Sequence, residues 1–376
     1  MHGGNTVVRA KWRRTSQVLG SLVLVSLWLT TACGAADGPA SPVGDEGGPF
    51  TYSANDRQDK LVEGAKKEGA LTWYASPWPA DFQEALLSAF NKKYPFIKVK
   101  VFNGDQAAIS TRVVQETAAG RPSADVVEMT QDGAQILRDQ GLLAPFYSPL
   151  ATKMSDTFKD PAEDKNQVWM ASDRVSLISF AYNTDILDAD KVPTTLDDLL
   201  APELSGKLAI TSSTTGVRWI GAVFDKLGED KAKEFFNNLR GQHVRVEGIS
   251  GAALMGLMAR GEVVASPAVF KAHAQQETAK GAHVKWAPLD DLPVVVNSGE
   301  AFVSKEAANP NSAMLFVDFL LGPDGAKVFK QYNYDLPADV DALNLNLWVP
   351  DTSFDTSDDY NTAYKSWQVV LDSLRG

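Results

Sequence analysis

A run of four hydroxyl residues followed by a glycine is the segment of this chain best suited to hold a ligand. It spans residues 212–216, after an apolar segment at 206–211 and before a helical pattern that begins at Val217. A strand that enters a helix through such a turn leaves several backbone N–H groups pointing at one spot. One side-chain oxygen is enough to cap a helix, so four hydroxyls exceed that need. The run therefore predicts contact with a polar or anionic ligand.

Three other positions carry side chains that suit a binding site. Ser250 precedes Gly251 at a predicted helix start, which is a weaker form of the same turn. Trp78 lies among prolines in a predicted loop, where an aromatic ring can stack on a sugar or an aromatic ligand. Arg174 can grip an anion with its forked guanidinium, or it can form a structural ion pair with Asp173 or another acid. The sequence leaves both roles of Arg174 open.

The elements that would position these residues alternate between strand and helix patterns. Strand-like apolar segments at 70–74, 97–102 and 125–129 are separated by helical patterns at 82–94 and 105–119. Such alternation predicts a mostly parallel sheet covered by helices. In an open sheet of this kind, ligands bind at the loops beyond the carboxyl ends of the strands. The first wall of the site would then contain Ser76, Trp78, Asp105, Thr130 and Gln131.

The alternation repeats in a second domain, and the chain then returns to the first. Segments at 175–182 and 292–297 would cross between the two domains, and two crossing segments make a hinge, so we predict two lobes that close on a ligand. The predicted boundaries are 51–174 with 292–340 for lobe 1, 175–291 for lobe 2, and 341–376 for a C-terminal segment with a terminal helix. The predicted ligand-contacting residues are Ser76, Trp78, Asp105, Thr130, Gln131, Arg174, Ser213, Thr214, Thr215, Gly216, Ser250 and Gly251.

The N-terminal residues 1–32 have the layout of a secretory signal. Four Lys and Arg residues precede an uncharged apolar run at 18–29, which is short for a membrane span. Cys33 is the sole cysteine and follows small residues, so an internal disulfide is excluded. We predict a lipoprotein-type signal that is cleaved before Cys33, with the lipidated cysteine joined to the globule by a flexible tether at 33–50. The alternative is an ordinary signal peptide with an incidental cysteine.

The charge balance and the motifs present narrow the function. The formal net charge is −11, which argues against a nucleic-acid partner, because such binding relies on Lys and Arg to neutralise phosphates. His243, His273 and His283 do not have the spacing of a metal site. Residues 248–251, Gly-Ile-Ser-Gly, do not match a nucleophile elbow, and the sequence contains no phosphate-loop Gly-Lys-Ser/Thr. A binding protein without a cofactor is therefore favoured over an α/β enzyme.

The order and spacing of several segments resemble the extracellular solute-binding proteins of ABC importers, in the branch called ferric-iron type. The segments are YNTD at 182–185, PTTLDDLL at 193–200, PELSGKLAI at 202–210, SSTTG at 212–216, ADVV at 124–127, SGAAL at 250–254, RGEV at 260–263, PVVVN at 293–297, ANP at 308–310 and FVDFLL at 316–321. The resemblance covers the chain from about residue 71 to residue 336. It implies the type II periplasmic-binding-protein fold, in which two α/β lobes with mixed, mostly parallel sheets are joined by hinge strands.

The resemblance also implies a function. The protein would be a monomeric, lipid-anchored component of an ABC importer outside the cytoplasm, at the cell surface or in the periplasm. It would deliver a small polar solute, anionic or phosphorylated, to the membrane permease, without enzymatic activity, cofactor or bound metal. Iron-binding members hold the metal with adjacent tyrosines, whereas the corresponding residues 266–273 contain none. Ferric iron is therefore an alternative that needs tyrosines elsewhere, such as Tyr74, Tyr182, Tyr332 and Tyr334.

Overall fold

The structure is a computed structural model, and it describes residues 47–376 except residues 77, 122, 123, 165, 351, 352, 355 and 376. The predicted signal segment 1–32, the lipidation residue Cys33 and most of the predicted tether lie outside the described residues. Across the described part of the chain, no helix is both long enough and apolar enough to cross a membrane.

Three parallel strands form the lobe 1 part of the main sheet. They are β1 (Ala70–Ala75), β2 (Lys98–Asn103) and β3 (Val126–Thr130). Strand β1 lies in the middle, because Trp73 is opposite Val101 on one side and Val126 on the other. Successive side chains point to opposite faces of a strand. Trp73 and Tyr74 are accordingly buried in two different cores, one on each face of the sheet. The sheet is thus covered on both sides, as parallel sheets are.

Helices provide this cover. In chain order the elements are α1 (Arg57–Glu68), α2 (Ala80–Lys93), α3 (Gln106–Ala118) and α4 (Gln131–Asp139), followed by the short strands β4 (Leu143–Ala144) and β5 (Lys159–Pro161). Each helix turns an apolar stripe toward the sheet. In α2 the stripe consists of Phe82, Leu86 and Phe90, which are fully buried. Phe82 packs against Phe329 and Phe90 against Phe316, so the return of the chain completes the lobe 1 core.

Two long strands run through both lobes. They are β6 (Val168–Asn183) and β11 (Val294–Ser304), which pair antiparallel. Strand β11 also pairs antiparallel with β3, whereas β6 pairs with β5 near its start. Strand β6 is continuous through Asp173 and Arg174. The predicted lobe boundary after residue 174 therefore falls inside a strand.

The second half of β6 forms the centre of lobe 2. The elements of this lobe are β7 (Ala209–Thr211), α5 (Thr214–Leu227), α6 (Glu229–Gly241), β8 (Arg245–Glu247), α7 (Gly251–Ala259), β9 (Ala265–Phe270), α8 (Lys271–Ala279) and β10 (Val284–Trp286). Strands β9 and β10 pair antiparallel with the two edges of β6. Strand β7 is joined in parallel to β9 by a single bridge and to β8 by a regular ladder. Residues Asp197–Leu200, which precede β7, form a 3-10 turn.

The C-terminal part of the chain contributes to both lobes. Its elements are α9 (Pro310–Leu321), α10 (Pro323–Gln331), α11 (Pro337–Ala342), β12 (Leu347–Trp348) and α12 (Ser357–Ser373). Helices α9 and α10 pack in lobe 1. Trp348, Trp367 and Leu371, in contrast, belong to the same core as Trp219 of α5. The segment after residue 341, which the sequence analysis set apart from the lobes, is thus part of the lobe 2 core.

The close packing of α12 on α5 depends on Gly221. A Cβ atom at this position would lie 2.7 to 2.8 Å from ring atoms of Trp367, which is closer than carbon atoms approach without a shift. The indole of Trp367 is buried and also contacts the rings of Trp348 and Tyr360. It has little room to move aside.

We expect Gly221→Ala to lower the free energy of unfolding by about 1–3 kcal/mol, the usual cost of overpacking a core. Urea unfolding measures this change. Gly256→Ala is the matched control, since Gly256 is also inside a helix but its nearest neighbour would be the flexible Arg260 guanidinium at 3.5 Å. This control should be neutral or stabilising by up to about 1 kcal/mol. Equal stability of the two variants would contradict the packing of α12 on α5.

Candidate functional site

The strands of the two lobes end toward each other. Strand β3 is antiparallel to β11, and β11 is antiparallel to β6, so β3 runs with β6 and ends toward lobe 2. Strand β9 runs against β6, and β7 and β8 run with β9, so these three end toward lobe 1. The space between the two sets of carboxyl-end loops, beside the crossing of β6 and β11, is called the cleft below. Carboxyl-end loops are where open α/β sheets bind ligands.

The hydroxyl loop, residues 212–216, connects β7 to α5 on the lobe 2 side of the cleft. The backbone N–H of Ser212 donates to the carbonyl of Glu247 at 2.9 Å, which ties the loop to the end of β8. Ser213 is the N-cap residue of α5, but its hydroxyl pairs with Oγ1 of Thr211 at 2.7 Å and makes no cap to the helix. The first N–H groups of α5 are therefore left for water or a ligand.

Thr214, Thr215 and Gly216 form the first turn of α5. Thr214 is exposed, whereas Thr215 is buried, so the Thr214 side chain is the more accessible of the two. A Cβ at Gly216 would lie 2.1 Å from the carbonyl oxygen of Thr211. The turn can therefore fold back on the end of β7 only with glycine at this position.

Two other predicted site residues are helix caps. The Asp105 carboxylate accepts a hydrogen bond from the N–H of Ala108 at 2.8 Å, and the Ser250 hydroxyl accepts one from the N–H of Ala253 at 3.2 Å. These bonds satisfy the first turns of α3 and α7 and occupy side-chain oxygens that the sequence analysis assigned to a ligand. Gly251 begins α7 and is buried.

The predicted residues of the lobe 1 wall lie at the ends of β1 and β3. The N–H of Ser76 donates to the backbone carbonyl of Glu128 at 3.1 Å and to its carboxylate at 3.3 Å. Thr130 accepts a hydrogen bond from the Gln106 side chain. Gln131 is buried, and its side-chain oxygen lies 3.5 Å from the Ser298 hydroxyl. Ser76, Thr130 and Gln131 thus lie on one side of the cleft, and their contact with a ligand stays a prediction.

A buried charge cluster lies where β11 separates β6 from β3. It consists of Glu128, Asp173 and Arg174, and is called the hinge charge cluster below. The Arg174 guanidinium contacts the Glu128 carboxylate at 2.5 Å and the Asp173 carboxylate at 3.1 Å. Both carboxylate side chains are 0% exposed and the Arg174 side chain is 9% exposed. Burial of charge is tolerated only with such pairing, so the three residues act as one structural unit.

Trp78 belongs to the surroundings of this cluster. Its indole N–H donates to the Glu128 carboxylate at 2.9 Å, and the Arg174 guanidinium lies 4.1 Å from its ring centroid. The Phe82 ring is 4.5 Å away and Tyr334 is 5.6 Å away. Much of the aromatic surface that a stacked ligand would need is therefore already in contact with the protein.

For Arg174 the structure shows the ion pair rather than an open anion clamp. Gly299 of β11 lies opposite Arg174, and a Cβ there would be 1.3 Å from Nη1 of the guanidinium. The missing side chain at Gly299 is what lets Arg174 reach Glu128. A solute could contact Arg174 only at the small exposed part of its side chain.

Several polar residues of the crossing strands were not selected from the sequence. The hydroxyls of Ser172 and Ser298 each donate to Oε1 of Glu300 at 2.7 Å, and all three residues are buried. Arg218 of α5 is buried too and donates to the side-chain oxygen of Asn297. One sequence pattern could have identified these residues: Glu128 and Glu300 are charged residues inside apolar strand patterns. A carboxylate buried in this way needs a buried polar partner.

The tyrosines named for the ferric alternative are not brought together. Tyr74 packs in one core of lobe 1, Tyr332 and Tyr334 pack against the other, and Tyr182 lies in the core of lobe 2. Among the described residues, no group of three or more His, Cys, Asp or Glu residues could hold a metal ion.

The hinge charge cluster holds two carboxylates and one guanidinium, so full ionisation would bury a net negative charge. Within the described residues, Oδ2 of Asp173 has no hydrogen-bond partner. Burial raises the pKa of Asp173 to about 8, with Arg174 opposing this shift and Glu128 adding to it. The physical reason is that the ionised form of Asp173 would lie in a low-dielectric site with its cation already shared.

This pKa predicts a specific pH dependence of stability. The native state retains the Asp173 proton up to about pH 8, whereas an unfolded chain releases it near its ordinary pKa of about 3.9. The stability that this proton gives the folded protein is fully present below a pH of about 3.9. It is lost as the pH rises from there through about 8. Its slope is at most about 1.4 kcal/mol per pH unit.

We therefore expect Asp173→Asn, which is neutral at every pH, to become more stable relative to the natural protein as the pH rises from about 5 to about 8. Urea unfolding at several pH values measures the difference. An effect of the new amide on the free energy of unfolding that is the same at every pH does not change how the difference between the two proteins varies with pH. Parallel stability curves for the two proteins would show that Asp173 does not titrate in this range.

Comparison with known proteins gives the family. The profile described as bacterial extracellular solute-binding protein matches residues 121–360, which is more than half of the chain. No curated protein matches the chain significantly.

Solved structures give the fold. One similar structure is the periplasmic binding protein AfuA from Actinobacillus pleuropneumoniae, with exogenous fructose-6-phosphate bound. It is 23% identical to this chain, and the alignment covers 81% of this chain and 98% of AfuA with a TM-score of 0.62. Iron-bound HitA from Pseudomonas aeruginosa is 19% identical, with 79% and 99% covered and a TM-score of 0.62. The spermidine/putrescine ABC transporter substrate-binding protein PotD from Streptococcus pneumoniae is 17% identical, with 82% and 99% covered and a TM-score of 0.64.

The matched profile and the shared fold confirm the predicted α/β class and the predicted resemblance. This chain belongs to the bacterial extracellular solute-binding protein family and has the type II periplasmic-binding-protein fold.

Proposed function

We propose that this protein binds a small solute with an anionic group, such as a phosphoryl or carboxylate group, and delivers it to the permease of an ABC importer. The lobes would close on the solute, with lobe 2 holding its anionic end. Binding and release, rather than catalysis, are its role. The predicted ligand-contacting residues Ser213, Thr214, Thr215 and Gly216 are the centre of this proposal.

The observation that carries the proposal is the uncapped start of α5. The Ser213 hydroxyl is turned to Thr211, so the N–H groups of the first turn keep their hydrogen-bonding capacity and the helix dipole adds positive potential. The loop lies among the carboxyl-end loops that face lobe 1, which is where a closing cleft would enclose it. Asp105 and Ser250, which cap their own helices, would contribute less.

The structures compared above bind different kinds of solute. The solute class of this protein is therefore inferred from the chemistry of its own site. AfuA holds a sugar phosphate, HitA holds iron, and PotD is named for polyamines. An uncapped helix start suits the first kind of solute and repels the other two, which are cations. Ferric iron would also need oxygen ligands gathered at one point, and the four tyrosines considered are spread over three cores.

The loop is tested by removing its hydroxyls. We expect the triple variant Ser213→Ala, Thr214→Ala and Thr215→Ala to bind fructose 6-phosphate or inorganic phosphate at least tenfold more weakly, since each lost bond to an anion contributes about 1.5–3 kcal/mol at most. Isothermal calorimetry measures the affinity. The matched control removes three exposed hydroxyls from other helices, with Ser88→Ala, Thr111→Ala and Thr362→Ala.

Two results would contradict the proposal. One is unchanged affinity of the loop variant, which would exclude the three loop hydroxyls from the site. The other is natural protein that ignores both phosphates but is stabilised by spermidine, or gives a visible charge-transfer band with ferric citrate. Stabilisation by spermidine or a charge-transfer band with ferric citrate would indicate that the solute is a cation.

We further propose that the protein is anchored outside the cytoplasm through lipid on Cys33. The support is the position of the sole cysteine, directly after small residues that end an apolar run. Family membership supports a location outside the cytoplasm.

The anchor is tested with Cys33→Ala in the producing cell. We expect the natural protein in the membrane fraction and the variant in the soluble extracytoplasmic fraction, because one lipidated residue supplies the membrane attachment. Fractionation followed by immunoblotting measures the distribution, and mass spectrometry of the N-terminal peptide detects the acyl groups. An unlipidated Cys33 in the natural protein would support the ordinary signal peptide instead.

A further inference from the structure

Helix α12 is fixed against the helix that carries the hydroxyl loop. Trp367 packs on Gly221, and a Cβ at Gly216 would lie 3.3 Å from the Leu371 side chain, so α12 contacts the start of α5 as well as its middle. Trp367 and Leu371 are both buried in the lobe 2 core. Most of α12 lies after residue 360, where the family match ends. Its contribution is therefore a property of this chain that the family match does not describe.

One side chain of α12 reaches the hydroxyl loop directly. The Tyr364 hydroxyl donates to Oγ1 of Thr214 at 3.3 Å. Thr214 is the first residue of α5 and is exposed. The Tyr364 ring is held by neighbouring rings, with its centroid 5.9 Å from that of Tyr360 and 6.4 Å from that of Trp367. The phenol is thus oriented by the lobe 2 core rather than by solvent.

The same helix reaches lobe 1 at its other end. The hydroxyl of Ser357 donates to the carboxylate of Asp139, the last residue of α4, at 2.7 Å. Helix α4 begins at Gln131, one of the predicted residues of the lobe 1 wall. Helix α12 therefore runs from the end of α4 in lobe 1 to the start of α5 in lobe 2.

The direction of the Tyr364 bond has a chemical consequence. A threonine hydroxyl has one proton to donate and two lone pairs that accept. When Tyr364 donates to Thr214, one lone pair is occupied and the Thr214 proton is directed elsewhere. Two hydroxyls in such a chain polarise each other, which strengthens the second donor. An anionic oxygen is the partner that this donor favours.

We infer that Tyr364 is a positioning residue of the solute site, which holds the Thr214 hydroxyl so that it donates to an anionic oxygen of the solute. The inference rests on the proposed function of the hydroxyl loop and adds a residue from outside the family-matched segment. It assigns α12 a role in selectivity for hydrogen-bond-accepting solutes.

The test is a double-mutant cycle read by calorimetry with fructose 6-phosphate and with inorganic phosphate. We expect Tyr364→Phe, which removes one oxygen, to weaken binding roughly two- to tenfold, the size of one neutral hydrogen bond, because Tyr364 contacts Thr214 and not the anion, with the unfolding temperature unchanged. Thr214→Val should lose at least as much, and the double variant no more than Thr214→Val alone, because the two residues act in series. Tyr147→Phe, a half-buried tyrosine of lobe 1, is the matched control.

Hydrogen exchange of the solute-free protein provides a second readout. We expect Tyr364→Phe to speed amide exchange at the end of the first turn of α5, where the Val217 N–H donates to the Ser213 carbonyl at 3.2 Å, and nowhere else in lobe 2. Additive losses in the cycle, or unchanged affinity of Tyr364→Phe, would overturn the inference while the loop variants still support the proposed function. If the natural protein binds neither phosphate, the proposed anion site fails, and unchanged exchange in that turn would then overturn the positioning role on its own.

Discussion

The antiparallel pairing of β6 with β11 is the constraint on which the rest of this structure depends. Each strand belongs to the sheets of both lobes, so every loop of the cleft is placed relative to these two strands. Their shared hydrogen bonds continue through the crossing from Ala171 to Ile178. A movement of one lobe against the other must bend both strands together. Side chains at this crossing therefore influence the cleft even where they cannot touch a solute.

The two sides of the cleft differ in their electrostatics. On the lobe 1 side, the charge of Arg174 is neutralised by Glu128, Asp173 also contacts the guanidinium, and the cluster is almost closed to solvent. On the lobe 2 side, α5 begins without a side-chain cap, so its first N–H groups have no side-chain partner there. Buried charges that are already paired contribute little to a new partner, whereas exposed backbone donors contribute fully. This difference is the reason for proposing that lobe 2 holds the anionic end of the solute.

Sequence patterns were a good guide to the elements because those depend on neighbouring residues. The alternation of strands and helices, the starts of α3 and α7, and the position of the hydroxyl loop all follow from local periodicity and capping chemistry. The same local chemistry explains the cap bonds of Asp105 and Ser250, and their contact with a ligand stays a prediction. The pairing of Arg174 with Glu128, 46 residues apart in sequence, depends on the fold and on the space at Gly299, which no local pattern encodes.

The route of the chain has a consequence for how the protein acquires its structure. The lobe 1 core needs strands and helices from near the start of the globule and also α9 and α10, while the lobe 2 core needs Trp367, Leu371 and Leu374 from the last turns of the chain. Neither core can be completed until almost every residue is present. Contacts of such long sequence separation slow folding, because distant segments must be brought together before they gain any packing energy. A chain that folds this late spends its synthesis as an open polymer with exposed apolar segments, the state that chaperones recognise.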